Sequence, residues 1–231
     1  MVTLVLLPGL DGTGLLLRDF ATACGPDIKV ITASYPSDRT LDYAELESVA
    51  RSFLPADEPF FLLAESFSGP IGISIAARPP PHMHGLILCC SFARNPQPML
   101  AALRPFISIL PVSLLPVGLI ACFVLGRFKS PAGVDALAST LASVSPAVVR
   151  KRLGTVLAAD MTDALAKVRI PVLYLRAADD RVVPRASSEL VMSHAPQTQV
   201  VELSAPHFLL QALPLQAAAR VSGFIDAHTA G

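Results

Sequence analysis

The chain has 231 residues, 52% of them hydrophobic and only 16% charged, a balance that excludes intrinsic disorder. Such a length buries about 70–75% of the surface of its unfolded chain and is read as one domain carrying an insertion. Lys plus Arg and Asp plus Glu number 18 each, so the formal charge is zero and no electrostatic footprint for nucleic acid exists.

Short apolar runs alternate with longer amphipathic windows. Val2–Leu7, Ile28–Ala33, Phe60–Ala64, Gly85–Ser91, Val172–Leu175 and Gln199–Leu203 read as strands bounded by Gly, Pro, Asp or Ser. Their continuous apolarity predicts parallel strands covered on both faces. Leu15–Cys24, Asp42–Leu54, Ser68–Arg78, Arg185–His194 and Leu215–His228 read as helices. In the second, Leu46, Val49, Ala50 and Phe53 share one face. The alternation predicts an open α/β sheet of about six mostly parallel strands with right-handed crossovers.

From Asn95 to Val168 the alternation stops, and no charge stands between Arg104 and Arg127. A run of that length raises a membrane span. Pro105, Pro111 and Pro116 would break such a helix, and the αβ pattern resumes afterwards, so the expectation is a folded apolar cap in preference to a membrane contact. Helical patterning returns over Ser139–Leu165, with Ser145-Pro146 as a helix start. The division expected is a core of residues 1–94 and 169–231 with a cap insertion at 95–168.

Cys24, Cys89, Cys90 and Cys122 contain no CxxC pair and no disulfide pattern, and the N-terminus has no signal-peptide pattern, so a cytoplasmic protein with reduced thiols is expected. His82 and His84 in PPPHMHG lack further ligands at metal-site spacing, so no metal or other cofactor is expected. His194 and His228 near helix ends read as solvated caps.

The chemistry concentrates in three places. In FFLLAESFSG a strand runs into Ala64-Glu65-Ser66-Phe67-Ser68, with small residues two before and two after a serine that stands on a sharp strand-to-helix turn. In IPVLYLRAADDRVVP a strand is followed by a short polar loop holding Asp179 and Asp180. In SAPHFLLQALP a strand end precedes His207. A serine nucleophile needs a base, and the base needs a carboxylate to fix its tautomer. Ser66, Asp180 and His207 supply these types in that order, each at the C-terminal end of a strand, which a parallel sheet places on one edge. Glu65 reads as a supporting or surface group, and Cys90 and Ser91, at the next strand end, as candidates to line the pocket, packing being the default for the cysteine.

These motifs resemble the α/β-hydrolase superfamily, in its broad group of small esterase- and lipase-like enzymes. The resemblance runs from the first strand to the last helix, with the Asn95–Val168 stretch where that family carries its cap and with no N-terminal hairpin. It implies Ser66 as nucleophile, Asp180 as acid and His207 as base. It also implies an oxyanion loop at LLPGLDGTG, with backbone N–H donors from Leu10 and Phe67. A dinucleotide loop would need glycine where Asp11 stands; Asp11 and Thr13 read as organisers of the turn. The substrate implied is a small-molecule ester with a short-to-medium apolar acyl chain, a thioesterase or an acyltransferase using the same residues being the alternative and a non-catalytic binding scaffold the last.

Overall fold

The computed structural model describes residues 2–229, with Ser108 by its backbone only. Six strands, β1 (Val2–Leu7), β2 (Ile28–Thr32), β3 (Phe60–Glu65), β4 (Met83–Cys89), β5 (Val172–Ala177) and β6 (Thr198–Leu203), form one sheet in the order β2-β1-β3-β4-β5-β6. Every pairing is parallel. The sheet is the α/β-hydrolase architecture. The chain winds outward from β1 to β2 and then crosses to the other side for β3. The loops leaving β1 and β3 therefore flank the reversal, where open α/β folds build their sites.

Alternate residues feed two cores. Val5, Leu7, Leu62, Ala64, Leu86 and Leu88 join α2 (Tyr43–Arg51), α3 (Gly69–Ala77), α7 (Thr162–Leu165) and α8 (Arg185–His194) on one face. Leu4, Leu6, Phe61, Leu63, Ile87 and Leu173 join α1 (Arg18–Ala23), α9 (Leu209–Ala212) and α10 (Pro214–Thr229) on the other. With both faces covered, polar alternation along the central strands is absent.

Element ends shift where the backbone demands it. Strand β4 begins at Met83, after His82 turns the chain with φ +66°, and stops at Cys89 because Cys90 takes φ +46°. The helix expected from Leu15 opens as a 3-10 turn, Leu15–Leu17, behind Gly14 at φ +74°. Asp42 caps α2, its side chain accepting from Glu45 N–H while the Glu45 carboxylate accepts from Asp42 N–H.

Residues 95–168 hold 3-10 turns, α4 (Val117–Val124), α5 (Pro131–Ala142), α6 (Pro146–Leu157) and α7. Helix α5 starts eight residues before the expected Ser139, at a Ser130-Pro131 step whose serine accepts from Gly133 N–H at 3.1 Å. Ser145 stands at the start of α6 as expected but makes no side-chain cap. Helices α4 and α5 share a small third core of Ala121, Leu125 and Leu137. Among the described residues no single helix is long and apolar enough to cross a membrane, though α5 and α6, bent by 100°, pass that test as a pair.

Candidate active site

Ser66 leaves β3 with φ +45°, a left-handed backbone that is costly for a residue bearing a Cβ. Several contacts hold it there. Ser91 Oγ donates to the Ser66 carbonyl at 2.6 Å, and Tyr174 Oη donates to the Ser91 carbonyl at 2.5 Å. Helix α3 begins immediately behind, with Pro70 in its first turn, and Gly72 lies so near the strand that an added Cβ would stand 2.8 Å from Ala64 Cβ. The close approach of strand and helix thus rests on Ala64 and Gly72.

Ser66 Oγ is 2.9 Å from His207 Nε2. The other ring nitrogen, Nδ1, lies 3.0 and 2.9 Å from the two Asp180 oxygens. Both side chains of this pair are 5% exposed. Asp180 Oδ1 also accepts from the N–H groups of Val182 and Val183, at 2.8 and 2.9 Å, which fixes the orientation of the carboxylate. The neighbouring Asp179 turns away to Arg127, at 3.1 Å. An acceptor at Nδ1 places the proton there and leaves Nε2 to accept from the serine hydroxyl.

The loop after β1 is gripped residue by residue. Ser68 Oγ donates to the Pro8 carbonyl and lies 2.8 Å from Tyr35 Oη. Gly9 N–H donates to Glu65 Oε2 at 3.2 Å. Asp11 Oδ1 accepts from Thr13 N–H and Oγ1, at 2.8 and 2.5 Å, the turn-organising role expected for this pair. Arg152, on α6 and 2% exposed, donates to the carbonyls of Leu10, Asp11 and Pro36 at 2.9, 2.6 and 3.0 Å. Its guanidinium also lies 6.0 Å from the Phe67 ring centre. Gly12, at φ +71°, passes so close to Arg152 that no Cβ would fit. Among the described residues nothing accepts from Leu10 N–H. Phe67 is the second residue of a helical turn, where N–H groups have no partner within the helix.

Glu65 is buried, 5% exposed, and so is not a surface group. Its second oxygen accepts from Gln211 Nε2 at 2.8 Å. Burial pushes its carboxyl up to about 7; the Gln211 hydrogen bond opposes the rise and the Asp11 charge adds to it.

A cavity of about 180 Å³ opens on Ser66 and His207, walled by Leu10, Phe67, Phe92, Ile120, Leu141 and Val182 among others. The α4 end of this wall is pinned to the histidine loop by Phe208 N–H, which donates to the Val124 carbonyl at 2.9 Å. Ligand atoms of Cys90, Asp180 and His207 lie within 4.8 Å of one another, the closest approach to a metal-binding set among the described residues. Burial drives the Cys90 thiol well above its usual range, so it stays neutral and lacks the thiolate a metal requires.

The sequence does not single out Arg152, Tyr35, Tyr174 or Gln211, and it marks Ser91 as a candidate to line the pocket, not as the group that holds the Ser66 carbonyl. Arg152 stands in an Arg-Lys-Arg run in which nothing in the sequence separates the buried member from its neighbours. Glu65 did carry a signal: a carboxylate directly following a fully apolar strand run and directly preceding the serine.

Residues 38–208 match the sequence profile described as serine aminopeptidase, S33. A search of the curated proteins finds no match. Among solved structures, the fold is similar to the enol-lactonase from Burkholderia xenovorans LB400 at TM-score 0.85 and 14% identity, covering 97% of this chain and 91% of that one. It is similar to a thermophilic esterase from Thermogutta terrifontis at TM-score 0.80 and 20% identity, over 99% and 90% of the two chains. An esterase from Exiguobacterium antarcticum gives TM-score 0.82 and 13% identity over 98% and 92%. Identities this low establish a shared fold, whereas the profile match spans most of the chain: the protein belongs to the serine aminopeptidase S33 family of α/β-hydrolase enzymes.

Proposed function

We propose that this hydrolase cleaves carboxylic esters with short-to-medium apolar acyl chains through an acyl-enzyme on Ser66. Ser66 Oγ attacks the ester carbonyl while His207 Nε2 takes its proton, and Asp180 holds the ring and balances the imidazolium. The N–H groups of Leu10 and Phe67 receive the oxyanion. As the tetrahedral intermediate collapses, His207 returns the proton to the leaving alkoxide. A water, deprotonated by the same histidine, then releases the acid and restores Ser66. The residues at 95–168 act as a cap that supplies one wall of the acyl pocket. The observation that carries this reading is the continuous hydrogen-bonded series from Ser66 Oγ through His207 to Asp180.

The cavity wall supports an apolar acyl group over a charged one. Its two carboxylates are committed to the loop, Glu65 to Gly9 and Gln211 and Asp11 Oδ1 to Thr13, and beyond Ser66 and His207 the rest of the wall is apolar. The same apolar wall favours a second reading, transfer of the acyl group to an alcohol, since a pocket poor in polar groups holds little water to compete. Adding an alcohol acceptor and analysing the products separates the two: free acid alone at every acceptor concentration leaves hydrolysis.

The test is turnover of p-nitrophenyl esters with fluorophosphonate labelling. Wild-type protein should label and turn over, and Ser66→Ala should do neither. Persistent labelling of Ser66→Ala would remove Ser66 as nucleophile. A wild type that neither labels nor turns over would leave a binding scaffold.

A further inference from the structure

Helix α4 is apolar on every side, which is the signature of a helix surrounded by apolar material. Ile120 and Val124, one turn apart, line the cavity, and Ala121 is buried. Leu119 and Phe123, also one turn apart, point outward and are 54% and 51% exposed. The outward face is not an isolated exception. Of the eleven large apolar side chains exposed among the described residues, nine fall between Met99 and Phe123, including Phe106, Ile109 and Leu114. Scattered exposed leucines need no explanation, but a concentration in one segment marks an interaction surface.

The charge around it selects the partner. Residues 104–152 contain six basic side chains and one acidic, Asp135, in a chain whose formal charge is zero. Arg152 is buried and Arg127 pairs with Asp179, which leaves Arg104, Lys129 and Lys151 exposed and Arg150 half-buried, its Nη1 donating to the Leu110 carbonyl at 3.2 Å. Arg104, Arg150 and Lys151 line one open groove of about 710 Å³, beside Ile107 and Gly154. Asp42 lies at its edge, its carboxylate already accepting from Glu45 N–H at 3.0 Å. A second copy of the chain would bring these cations against one another, which penalises self-association through this face.

We propose that the exposed apolar face of residues 99–123, together with the basic groove, docks on the surface of an anionic lipid bilayer. The apolar side chains enter the headgroup–acyl boundary while the cations meet anionic headgroups. This is the mode of interfacial segments that lie on a membrane without spanning it. Because α4 carries the docking face outside and the cavity wall inside, docking sets that wall of the cavity against the bilayer, the phase in which an apolar ester resides.

The experiment is co-sedimentation of the full chain with phosphatidylcholine vesicles, with and without phosphatidylglycerol. Binding should require the anionic lipid and weaken in about 1 M salt, where the screening length is about 3 Å. Arg104→Gln with Lys151→Gln should weaken it about 30-fold, from about fivefold per cation. Phe106→Ser with Ile109→Ser should weaken it roughly tenfold or more while leaving thermal unfolding in place. Ser66→Ala should bind as wild type does, so this proposal and the catalytic one fail separately. No binding to anionic vesicles, or binding that neither pair alters, overturns it. So does a concentration-dependent dimer abolished by Phe106→Ser with Ile109→Ser, which would assign the face to a second copy.

Discussion

Arg152 Nη1 lies 2.9 Å from the Leu10 carbonyl oxygen, so α6, inserted between β4 and β5, holds the loop after β1 by its backbone across 142 positions of sequence. The same guanidinium grips Asp11 and Pro36 through their carbonyls. One side chain thus ties the seating of the proposed cap to the orientation of the proposed oxyanion donor.

Arg152→Met keeps much of the side-chain volume and removes the donors. Leu10 N–H then loses its fixed aim, and kcat should fall about tenfold to a hundredfold with a smaller change in KM. Three carbonyls lose their donor, which should also lower stability by a few kcal/mol, on the order of 1–3 for each left buried. Steady-state kinetics on a short-chain ester together with urea unfolding measure both; a kcat within about twofold of wild type removes the positioning role.

Glu65 gives a pH signature whose sign is fixed. Its carboxyl sits at about 7 in the folded protein, chiefly through burial, against about 4.5 when unfolded. Between those values the folded state binds the extra proton, so its stability falls as pH rises and then levels off above 7. The full difference is about 3.5 kcal/mol at about 1.4 kcal/mol per unit. Glu65→Gln removes the ionisation yet can still accept from Gly9 N–H through its amide oxygen. It can also donate to Gln211 Oε1, which is buried with no partner among the described residues. Urea unfolding from pH 5 to pH 8 should slope for wild type and be flatter for Glu65→Gln. Parallel profiles would show that Glu65 carries no such penalty.

The elements were legible because the sheet is fully covered: β1 and α8 fall where their apolar and polar boundaries lie, and Ser66, Asp180 and His207 each follow a strand. The supporting contacts were not legible. Ser68, read as merely small, works through its hydroxyl on Pro8 and Tyr35, a pairing that exists only once β1 and β3 lie side by side. Glu65 breaks an apolar pattern, yet sequence cannot name Gly9 and Gln211 as its partners. The 99–123 run read as a cap because prolines break a span, but exposure of its apolar side chains is a property of the folded surface.

Behind Ser66, Gly69 and Ser91 are fitted to each other. A Cβ at Gly69 would overlap Ser91 Oγ, the hydroxyl that holds the Ser66 carbonyl. Gly69→Ala should therefore displace Ser91 and cost about 1–3 kcal/mol of stability, as overpacking does, with turnover falling further as Ser66 leaves its φ. Ser91→Gly relieves the overlap but loses the hydrogen bond. A double-mutant cycle by chemical denaturation should give a coupling of about 1 kcal/mol or more, the double variant being less damaged than the sum of the singles. Additive effects would mean that the turn relaxes without moving Ser91.

The cavity sets the last expectation. At about 180 Å³ it is smaller than the roughly 300–1,000 Å³ of pockets that enclose drug-sized ligands. Esters of butyrate to hexanoate length should therefore outpace laurate esters. Leu141, on α5, forms part of the wall and packs against the small α4–α5 cluster outside the two main cores. Leu141→Ala enlarges the pocket at a site where the main sheet does not depend on it, and should move the preferred chain longer by about two or more carbons. The reason is that each buried methylene is worth about 0.8 kcal/mol, close to fourfold in kcat/KM. A p-nitrophenyl ester series on wild type and Leu141→Ala measures the shift. An unchanged optimum would place the acyl chain along a different wall, and a wild-type preference for charged acyl groups would refute the apolar pocket itself.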